Sequence, residues 1–234
     1  AKNSFPGFEG TFNSQQRVPL VDLPKSVNEI LNDVDDCSSN PYSIRIIGMR
    51  RLLKSINKDT PIFVQNASDQ ALIQSQGFKD VRVLSDTATF EGVTLSHRNA
   101  THGTDAMYQN KQAADLLGET MGVVFTMPNE KTVYIMGDTV WTPDITKSIS
   151  KFNPDVLIMN TGYAKLLGFE DSIIMGTEDV GKAATLAPNA KILTVHMDTV
   201  NHAVVDRKTM KKYVDGMGLQ DQVTIPEDGE TVKL

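Results

Sequence analysis

The sequence predicts a layered α/β fold built on a sheet with both parallel and antiparallel strands. Short apolar runs of strand length alternate with segments of helical periodicity from about residue 61 onwards. Three further runs follow one another between residues 89 and 136 with turn residues between them, notably Pro128-Asn129-Glu130, which is typical of an antiparallel meander. Together these patterns favour a mixed sheet with helices packed outside it.

The N-terminal part of the chain is predicted to hold little regular structure. Residues 1–25 contain prolines at 6, 19 and 24 and glycines at 7 and 10, which predicts an extended, ordered loop. Ser26 as an N-cap, with Glu29 three residues later, predicts a short helix over 26–34. Because Ala1 is not a start methionine and the chain opens in a loop, we expect the sequence to begin inside a domain.

The remaining elements are predicted between residues 61 and 216. Strands are expected over 61–65, 81–84, 89–96, 122–127, 132–136, 155–159 and 191–195. Helices are expected over 68–76, 144–152, 177–187 and 206–216. A length of 234 residues without internal repeats fits one large α/β domain, so we expect a single domain over 1–234.

The composition restricts the classes of partner. A net charge of −6 argues against binding to a phosphate backbone, so nucleic acid is excluded. No run approaches the roughly 18 to 20 apolar residues of a membrane helix, and no signal-peptide pattern opens the chain. The single cysteine, Cys37, cannot form an internal disulfide, which makes the cytoplasm the default location. We expect a small-molecule substrate, and a homo-oligomer remains open.

Polar side chains lie at or just after the carboxyl ends of three predicted strands: Asp138, Asn160 and His196. Rigid strands can hold such groups in place before a metal ion arrives, and imidazole and carboxylate suit zinc, with manganese or iron as alternatives. Together with His102, the candidate metal ligands are His102, Asp138 and His196. The alternative is that the Asp after Gly137 forms a turn and that each His is an ordinary hydrogen-bonded polar residue.

The motifs around these residues resemble those of metallo-β-lactamase-fold hydrolases of the L-ascorbate-6-phosphate lactonase-like branch. The likeness extends from about residue 59 to 229. It rests on Thr101-His102-Gly103-Thr104-Asp105, Gly137-Asp138-Thr139-x-Trp141, Asn153-Pro154-Asp155-Val156, Asn160-Thr161-Gly162-Tyr163-Ala164 and Val195-His196-Met197-Asp198-x-x-Asn201-His202. The resemblance implies an αββα sandwich that lacks its first N-terminal strands and has metal ions at the edge where strands of both sheets end.

The resemblance also implies roles for individual residues. His102 would bind the first metal ion, His196 the second, and Asp138 would bridge the two. Such a pair of ions lies about 3.5 to 4 Å apart and activates a hydroxide for attack on a lactone, ester or phosphoester of a small molecule. His202 is expected to contact substrate or to donate a hydrogen bond near the site, and a surface or helix-capping role is the alternative. Asn160 and Tyr163 are expected to line the pocket.

The first metal motif of that family, His-x-His-x-Asp-His, is absent before the strand at residue 61. Residues 36–57 contain no histidine there, so three ligands remain for two metal positions and the resemblance implies an impaired site. Asp35, Asp36 and Cys37 lie near the expected place, but their spacing does not match the motif. Residues 44–54 instead fit an amphipathic helix with solvated arginines, for which a membrane or a protein partner is the alternative.

A change of reading frame is a hypothesis for the missing motif. Codons compatible with residues 45–49, read from the third base, spell Asp-His-Trp-Asp. Codons compatible with residues 40–43, read from the second base, spell Thr-His-Thr. Because synonymous codons allow other readings, the coding DNA decides between a frame-shifted segment and a replaced one.

Two rival functions remain open at the level of sequence. The chain is a metal-dependent hydrolase, or it keeps the scaffold as a non-catalytic binding or interaction module. A third interpretation is an α/β binding domain in which the three motif residues only form turns.

Overall fold

The coordinates are a computed structural model that describes residues 56–198 and 202–234, together with two short strands near the N-terminus. Strands β1 (Asn3–Ser4) and β2 (Arg17–Val18) pair antiparallel, so the predicted loop over residues 1–25 is wrong at these two short strands, which avoid its prolines and glycines. The predicted helix over 26–34 and residues 36–55 of the atypical segment lie outside the described residues.

A small parallel sheet with one helix opens the continuous part. Strand β3 (Ile62–Val64) is joined through helix α1 (Ala67–Ser75) to β4 (Val81–Val83), and the two strands pair in parallel. Asn66 caps α1, because its side chain accepts a hydrogen bond from the backbone N–H of Asp69. The predicted strand–helix–strand unit is confirmed.

The predicted single strand over 89–96 is wrong, because the chain folds there into a hairpin. Strands β5 (Thr87–Phe90) and β6 (Val93–Asn99) pair antiparallel around Glu91 and Gly92. Both turn residues have positive φ, 48° and 85°, which suits the two-residue turn whose twist matches that of the flanking strands. A glutamate at the first turn position is not the usual Asn or Asp signal, so the turn escaped the sequence analysis.

Two short helices between β6 and the next strand were also not predicted. Helix α2 (Asp105–Tyr108) spans four residues and α3 (Lys111–Leu117) seven. Neither is long enough to show a clear apolar period, and the caps at Asn110 and Gly118 are the main local signal for α3.

The rest of the chain builds the larger part of the main sheet and its helices. Strand β7 (Met121–Thr126) and strand β8 (Val133–Ile135) complete the predicted meander. The elements that follow are α4 (Pro143–Phe152), β9 (Val156–Asn160), α5 (Thr177–Leu186), β10 (Lys191–Val195), α6 (Arg207–Met217) and β11 (Val223–Thr224). All but the two-residue β11 were predicted, to within one or two residues at their ends.

The main sheet has seven strands in the order β11-β10-β9-β8-β7-β6-β5. Strands β8, β9, β10 and β11 pair in parallel, whereas the pairs β5–β6, β6–β7 and β7–β8 are antiparallel. The predicted mixed sheet is therefore confirmed.

The buried side chains divide the described residues into four layers. Ile73 of α1 packs with Ile62 and Val64 on one face of the small sheet. Phe63, which faces the other way, packs on Leu95 and other side chains of the main sheet. The opposite side of the main sheet is covered by α4, α5 and α6, in the largest apolar cluster. The order helix, sheet, sheet, helix is the predicted αββα sandwich.

No described helix combines the length and the apolar character needed to cross a membrane.

Candidate metal centre

Four strands of the main sheet end at the same edge, and the predicted site residues follow those ends. Strands β8, β9 and β10 are parallel neighbours, and two antiparallel steps through β7 give β6 the same direction as β8. Asn160 closes β9 and His196 follows β10 directly, while His102 and Asp138 come three residues after β6 and β8. The topology therefore brings residues remote in sequence to one edge.

Asp138 is in contact with two of the other residues at this edge. The side-chain amide of Asn160 donates to Asp138 Oδ1 at 2.6 Å, and His196 Nε2 lies 3.6 Å from the same oxygen. Both the carboxylate and the imidazole are largely buried, with 18% and 23% of their side chains exposed. The contact joins the ends of β8, β9 and β10.

Glycines and left-handed residues shape the backbone around this contact. Gly137 has φ 71°, and a Cβ there would lie 2.7 Å from the carbonyl oxygen of Met121. A Cβ on Gly162 would collide with the carbonyl oxygen of His196, which itself has φ 63°. Positive φ is costly for a side-chain-bearing residue, so these turns are places where the fold holds the chain in a defined geometry.

The loop that carries His102 is hydrogen-bonded to the loop that carries Asp138. Thr101 receives a bond on its carbonyl from the N–H of Val140 at 2.9 Å and donates its own N–H to Thr139 Oγ1 at 2.9 Å. The His102 Nδ1 atom lies 3.3 Å from the carbonyl oxygen of Leu117. With the proton on Nδ1, the ring donates to this carbonyl and Nε2 keeps the lone pair that a metal ion requires.

Asp138 remains a carboxylate despite its burial. Burial acts to raise its pKa, but the imidazoles of His196 and His102, the hydrogen bond from Asn160 and the imidazole of His202 together hold the pKa below its usual value. The electrostatic influence of all three imidazoles on one carboxylate places His102, Asp138, His196 and His202 in one neighbourhood.

His202 is kept neutral by the same neighbourhood. Burial is the largest cause, and the nearby His196 and His102 add to it, so that the pKa of His202 falls to about 4 against the opposing effect of Asp138. The backbone carbonyl of His202 accepts a hydrogen bond from the backbone N–H of Lys165 at 2.9 Å. A neutral imidazole beside a carboxylate can both accept and donate a proton.

The geometry of the closest pair fits ligation of one ion. Two ligand atoms at about 2.0 to 2.2 Å from a tetrahedral zinc ion are separated by about 3.4 Å. The 3.6 Å between His196 Nε2 and Asp138 Oδ1 matches that separation. One feature differs from a usual metal-bound imidazole, whose second nitrogen normally has a hydrogen-bond partner. His196 Nδ1 is buried, and no described residue provides such a partner.

The described residues do not complete a ligand set. Within residues 56–198 and 202–234, no three His, Cys, Asp or Glu side chains are close enough together to hold one ion. A catalytic zinc site normally has three protein ligands. The described residues therefore provide one pair of possible ligands with two further imidazoles nearby. They do not form a complete metal site.

The other residues considered from the sequence occupy different places. His97 lies within β6 opposite Val123, as expected of a residue on a strand face. Trp141 is partly buried against the largest apolar cluster. Tyr163 is 38% exposed and has φ 46°, in the loop after β9.

Sequence reasoning missed the contacts of Arg207, the first residue of α6. Its guanidinium Nη1 lies 2.6 Å from Asp198 Oδ2, and its Nε donates to the carbonyl oxygen of Pro226 at 2.9 Å. No local sequence pattern indicates the partners of an arginine at the start of a helix when they lie 9 and 19 residues away.

Comparison with curated proteins finds relatives along nearly the whole chain. UPF0173 protein YddR of Bacillus subtilis is 33% identical over 231 residues, which cover 98% of this chain and 88% of that protein. UPF0173 metal-dependent hydrolase MK1542 of Methanopyrus kandleri is 25% identical over 160 residues, 68% of this chain and 65% of that protein. No protein-family model matches the chain.

Comparison with solved structures finds two proteins that are similar in sequence and structure, and a third that shares the fold. A possible metal-dependent hydrolase from Veillonella parvula superposes with a TM-score of 0.90 at 48% identity, covering 100% of this chain and 89% of that one. An isothiocyanate hydrolase from Delia radicum gut bacteria superposes with a TM-score of 0.87 at 35% identity, covering 100% and 88%. The metallo-β-lactamase fold protein YhfI of Bacillus subtilis, at 14% identity and a TM-score of 0.58 over 81% and 74% of the two chains, shares the fold alone.

Proposed function

Because this chain belongs to the UPF0173 metal-dependent hydrolase family and has the metallo-β-lactamase fold, we propose that it hydrolyses a small molecule at the edge where β6, β8, β9 and β10 end. We assign His102, Asp138 and His196 to metal binding and Asp138 and His202 to the reaction itself. The observation that carries the proposal is the 3.6 Å contact between His196 Nε2 and Asp138 Oδ1.

The chemistry assigned to these residues follows from their protonation and contacts. A bound metal ion would lower the pKa of a water molecule and polarise the electrophilic atom of the substrate. Asp138 is ionised, and Asn160 fixes its orientation through the bond to Oδ1. His102, with Nδ1 towards Leu117, would present Nε2 to a first metal ion, and His196 would bind a second.

His202 has the properties of a group that handles a proton or contacts substrate. Its imidazole is neutral at neutral pH because its pKa is lowered to about 4. We assign to it a hydrogen bond with the substrate or with the leaving group, which a neutral imidazole can either donate or accept.

The substrate class is proposed from two sources. The resemblance of the motifs favours a lactone, an ester or a phosphoester. The overall similarity to an isothiocyanate hydrolase supports a second candidate, in which water adds to the central carbon of R–N=C=S and the adduct breaks down to R–NH₂ and carbonyl sulfide. Carboxylic esters, lactones and isothiocyanates all present an electrophilic carbon to the attacking water.

The proposal is tested on the purified chain by elemental analysis and a substrate panel. The panel contains a γ-lactone, a p-nitrophenyl ester, p-nitrophenyl phosphate and benzyl isothiocyanate, each assayed with added zinc or manganese. We expect one to about two bound metal equivalents per chain and hydrolysis of at least one panel member. A folded chain that binds no metal and hydrolyses none of them contradicts the proposal and supports the non-catalytic binding module.

Matched histidine variants locate the activity. His102→Ala and His196→Ala should each lose metal and activity, because each removes an assigned ligand. His97→Ala removes a histidine within β6 that is not an assigned ligand, and should retain both. Equal behaviour of all three variants would remove the assignment.

A further inference from the structure

The loop after β10 holds both His196 and His202, and the side chain of Arg207 contacts its described part at Asp198. Arg207 Nη1 lies 2.6 Å from Asp198 Oδ2, and the backbone N–H of Arg207 points at the same carboxylate, 3.3 Å from Oδ2. Asp198 is two residues after His196, so the contact acts immediately beside an assigned metal ligand.

Arg207 is itself anchored on the C-terminal segment. Its Nε donates to the carbonyl oxygen of Pro226 at 2.9 Å, and its Nη2 pairs with the carboxylate of Asp228. The side chain is 20% exposed, whereas Lys211 in the same helix is 70% exposed in its pair with Asp215. Only the planar fork of an arginine can reach three such acceptors at once, and a lysine in this place could not.

The loop needs such an anchor because its backbone is held in an unusual conformation. His196 and Asp198 have φ values of 63° and 61°, and side-chain-bearing residues adopt such angles only where their surroundings enforce them. On the side towards β9 the loop is held by backbone bonds, from Val204 and Val205 to the carbonyl of Gly162, each 2.9 Å long. On the side towards α6, Met197 and Val205 are buried in the apolar cluster that includes Met210 of the helix, and the described polar contacts are those of Arg207 with Asp198.

We propose that Arg207 is a positioning residue that, through Asp198, couples the C-terminal segment to the loop and sets the geometry of His196 and His202 for metal binding. The inference rests on the proposed function in assigning His196 to the metal. Its structural half, the anchoring of the loop, stands on the contacts alone.

Charge provides a second reason for the arrangement. Without its guanidinium partner, the Asp198 carboxylate would stand two residues from His196 and would be free to turn towards a cation at the site. The bond to Arg207 holds the carboxylate on α6, where its oxygen also accepts from the first N–H of that helix. Loss of Arg207 therefore changes the position of a negative charge as well as the support of the loop.

The first test is amide hydrogen exchange in the complete chain without added metal. In Arg207→Ala and Asp198→Asn, the amides of Val204 and Val205 should exchange at least roughly tenfold faster than in the parent, because the loop loses its anchor. The amide of Ile192, which donates to Gln222 within the sheet, serves as the internal reference and should not change. Asp198→Asn keeps the size of the side chain, so it reports on the ion pair where Arg207→Ala fails to fold.

The control variant is Lys211→Ala, which removes an ion pair from the same helix without touching the loop. Unchanged exchange at Val204 and Val205 in Lys211→Ala, with faster exchange in the other two variants, supports the inference. Equal exchange in all of the variants, or faster exchange at Ile192 as well, overturns it.

The second test is zinc affinity, measured by competition with a chromophoric chelator. We expect Arg207→Ala to bind Zn²⁺ roughly tenfold more weakly, at the lower end of what groups that orient a ligand contribute, with Arg207→Lys in between and Lys211→Ala unchanged. Equal affinity in Arg207→Ala and Lys211→Ala contradicts the positioning role. A parent chain that binds no Zn²⁺ defeats the proposed function instead, and the exchange comparison then decides the anchoring by itself.

Discussion

The two ends of the parallel strands use the same residue type in opposite ways. At the end where β9 begins, the Asp155 carboxylate accepts the backbone N–H of Thr132 at 2.8 Å. At the end where β8 and β9 finish, the Asp138 carboxylate faces the side chains of Asn160 and His196 instead.

The two edges differ in what their polar side chains contact. At the starting edge the polar groups complete the hydrogen bonding of the chain itself, as when Lys191 Nζ donates to the carbonyl of Asp221. At the finishing edge the side chains of strands that are distant in sequence face one another, and their charges shift one another's pKa values. The first edge supports the fold, and the second is where we propose the site.

The largest expected effect comes from removing the charge of one aspartate at each edge in turn. Asp138→Asn should lower the rate of hydrolysis by at least roughly a hundredfold, because the amide is a poor metal ligand and carries no charge. Asp155→Asn, the matched change at the other edge, should leave the rate within about twofold and reduce stability only slightly. Steady-state kinetics and thermal unfolding of both variants check this, and similar losses of activity in the two would abolish the distinction.

The pH dependence of stability should also depend on the finishing edge. The pKa of His202 is about 4 when folded and 6.5 in a free side chain, so the unfolded chain binds the proton first as the pH falls. Metal-free protein should therefore be fully stabilised above pH 6.5 and lose up to about 3 kcal/mol between pH 6.5 and 4 from this group.

Denaturant unfolding across that range, in the parent and in His202→Gln, measures the effect. The glutamine variant has no titrating group at this position, so its stability should fall less steeply over the same range. Parallel stability curves for the two proteins would show that His202 does not have the lowered pKa.

A smaller difference is expected between two glycines that differ in the space available for an added Cβ. Gly162→Ala places a Cβ against the carbonyl of His196 and should cost about 1 to 3 kcal/mol of stability, together with activity. Gly216, in α6, has nothing within 4 Å of an added Cβ, so Gly216→Ala should stabilise by about 0.5 to 1 kcal/mol. Denaturant midpoints of the two variants provide the check, and a neutral Gly162→Ala would mean that the loop can move away from His196.

The smallest expected effect is at the residue that orients Asp138. Asn160→Ala removes the 2.6 Å bond to Oδ1 and should weaken metal binding about tenfold with little change in stability. Asn160→Asp is the sharper variant, because it replaces the donor with a second negative charge of similar size. Unaltered zinc affinity in both variants would show that this bond does not orient the carboxylate.

Much of the fold was accessible from the sequence because its strands and helices are long enough to show their period. Helices α4 and α6 have strong caps, Thr142 with Pro143 and Asp206, and both were predicted to within one residue. The hairpin at Glu91 was missed because its turn lacks the usual residues, and α2, α3 and β11 were missed because they are too short to establish a pattern.

The site was accessible in part, for a topological reason. The chain order of His102, Asp138 and His196 with their strand ends predicted a common edge, and the sheet order provides one. Their roles as ligands stay predictions, since the resemblance expects the remaining ligands near residues 36–57, of which 36–55 lie outside the described part. The low pKa of His202 and the contacts of Arg207 depend on burial and on distant partners, which no local pattern reveals.

The most direct test of the metal assignment is X-ray absorption at the zinc edge of the zinc-loaded protein. We expect a bound ion with nitrogen and oxygen ligands at about 2.0 to 2.2 Å and the scattering signature of imidazole, which weakens in His196→Ala. A spectrum without imidazole scattering, or one that is identical in the parent and in His196→Ala, would contradict it.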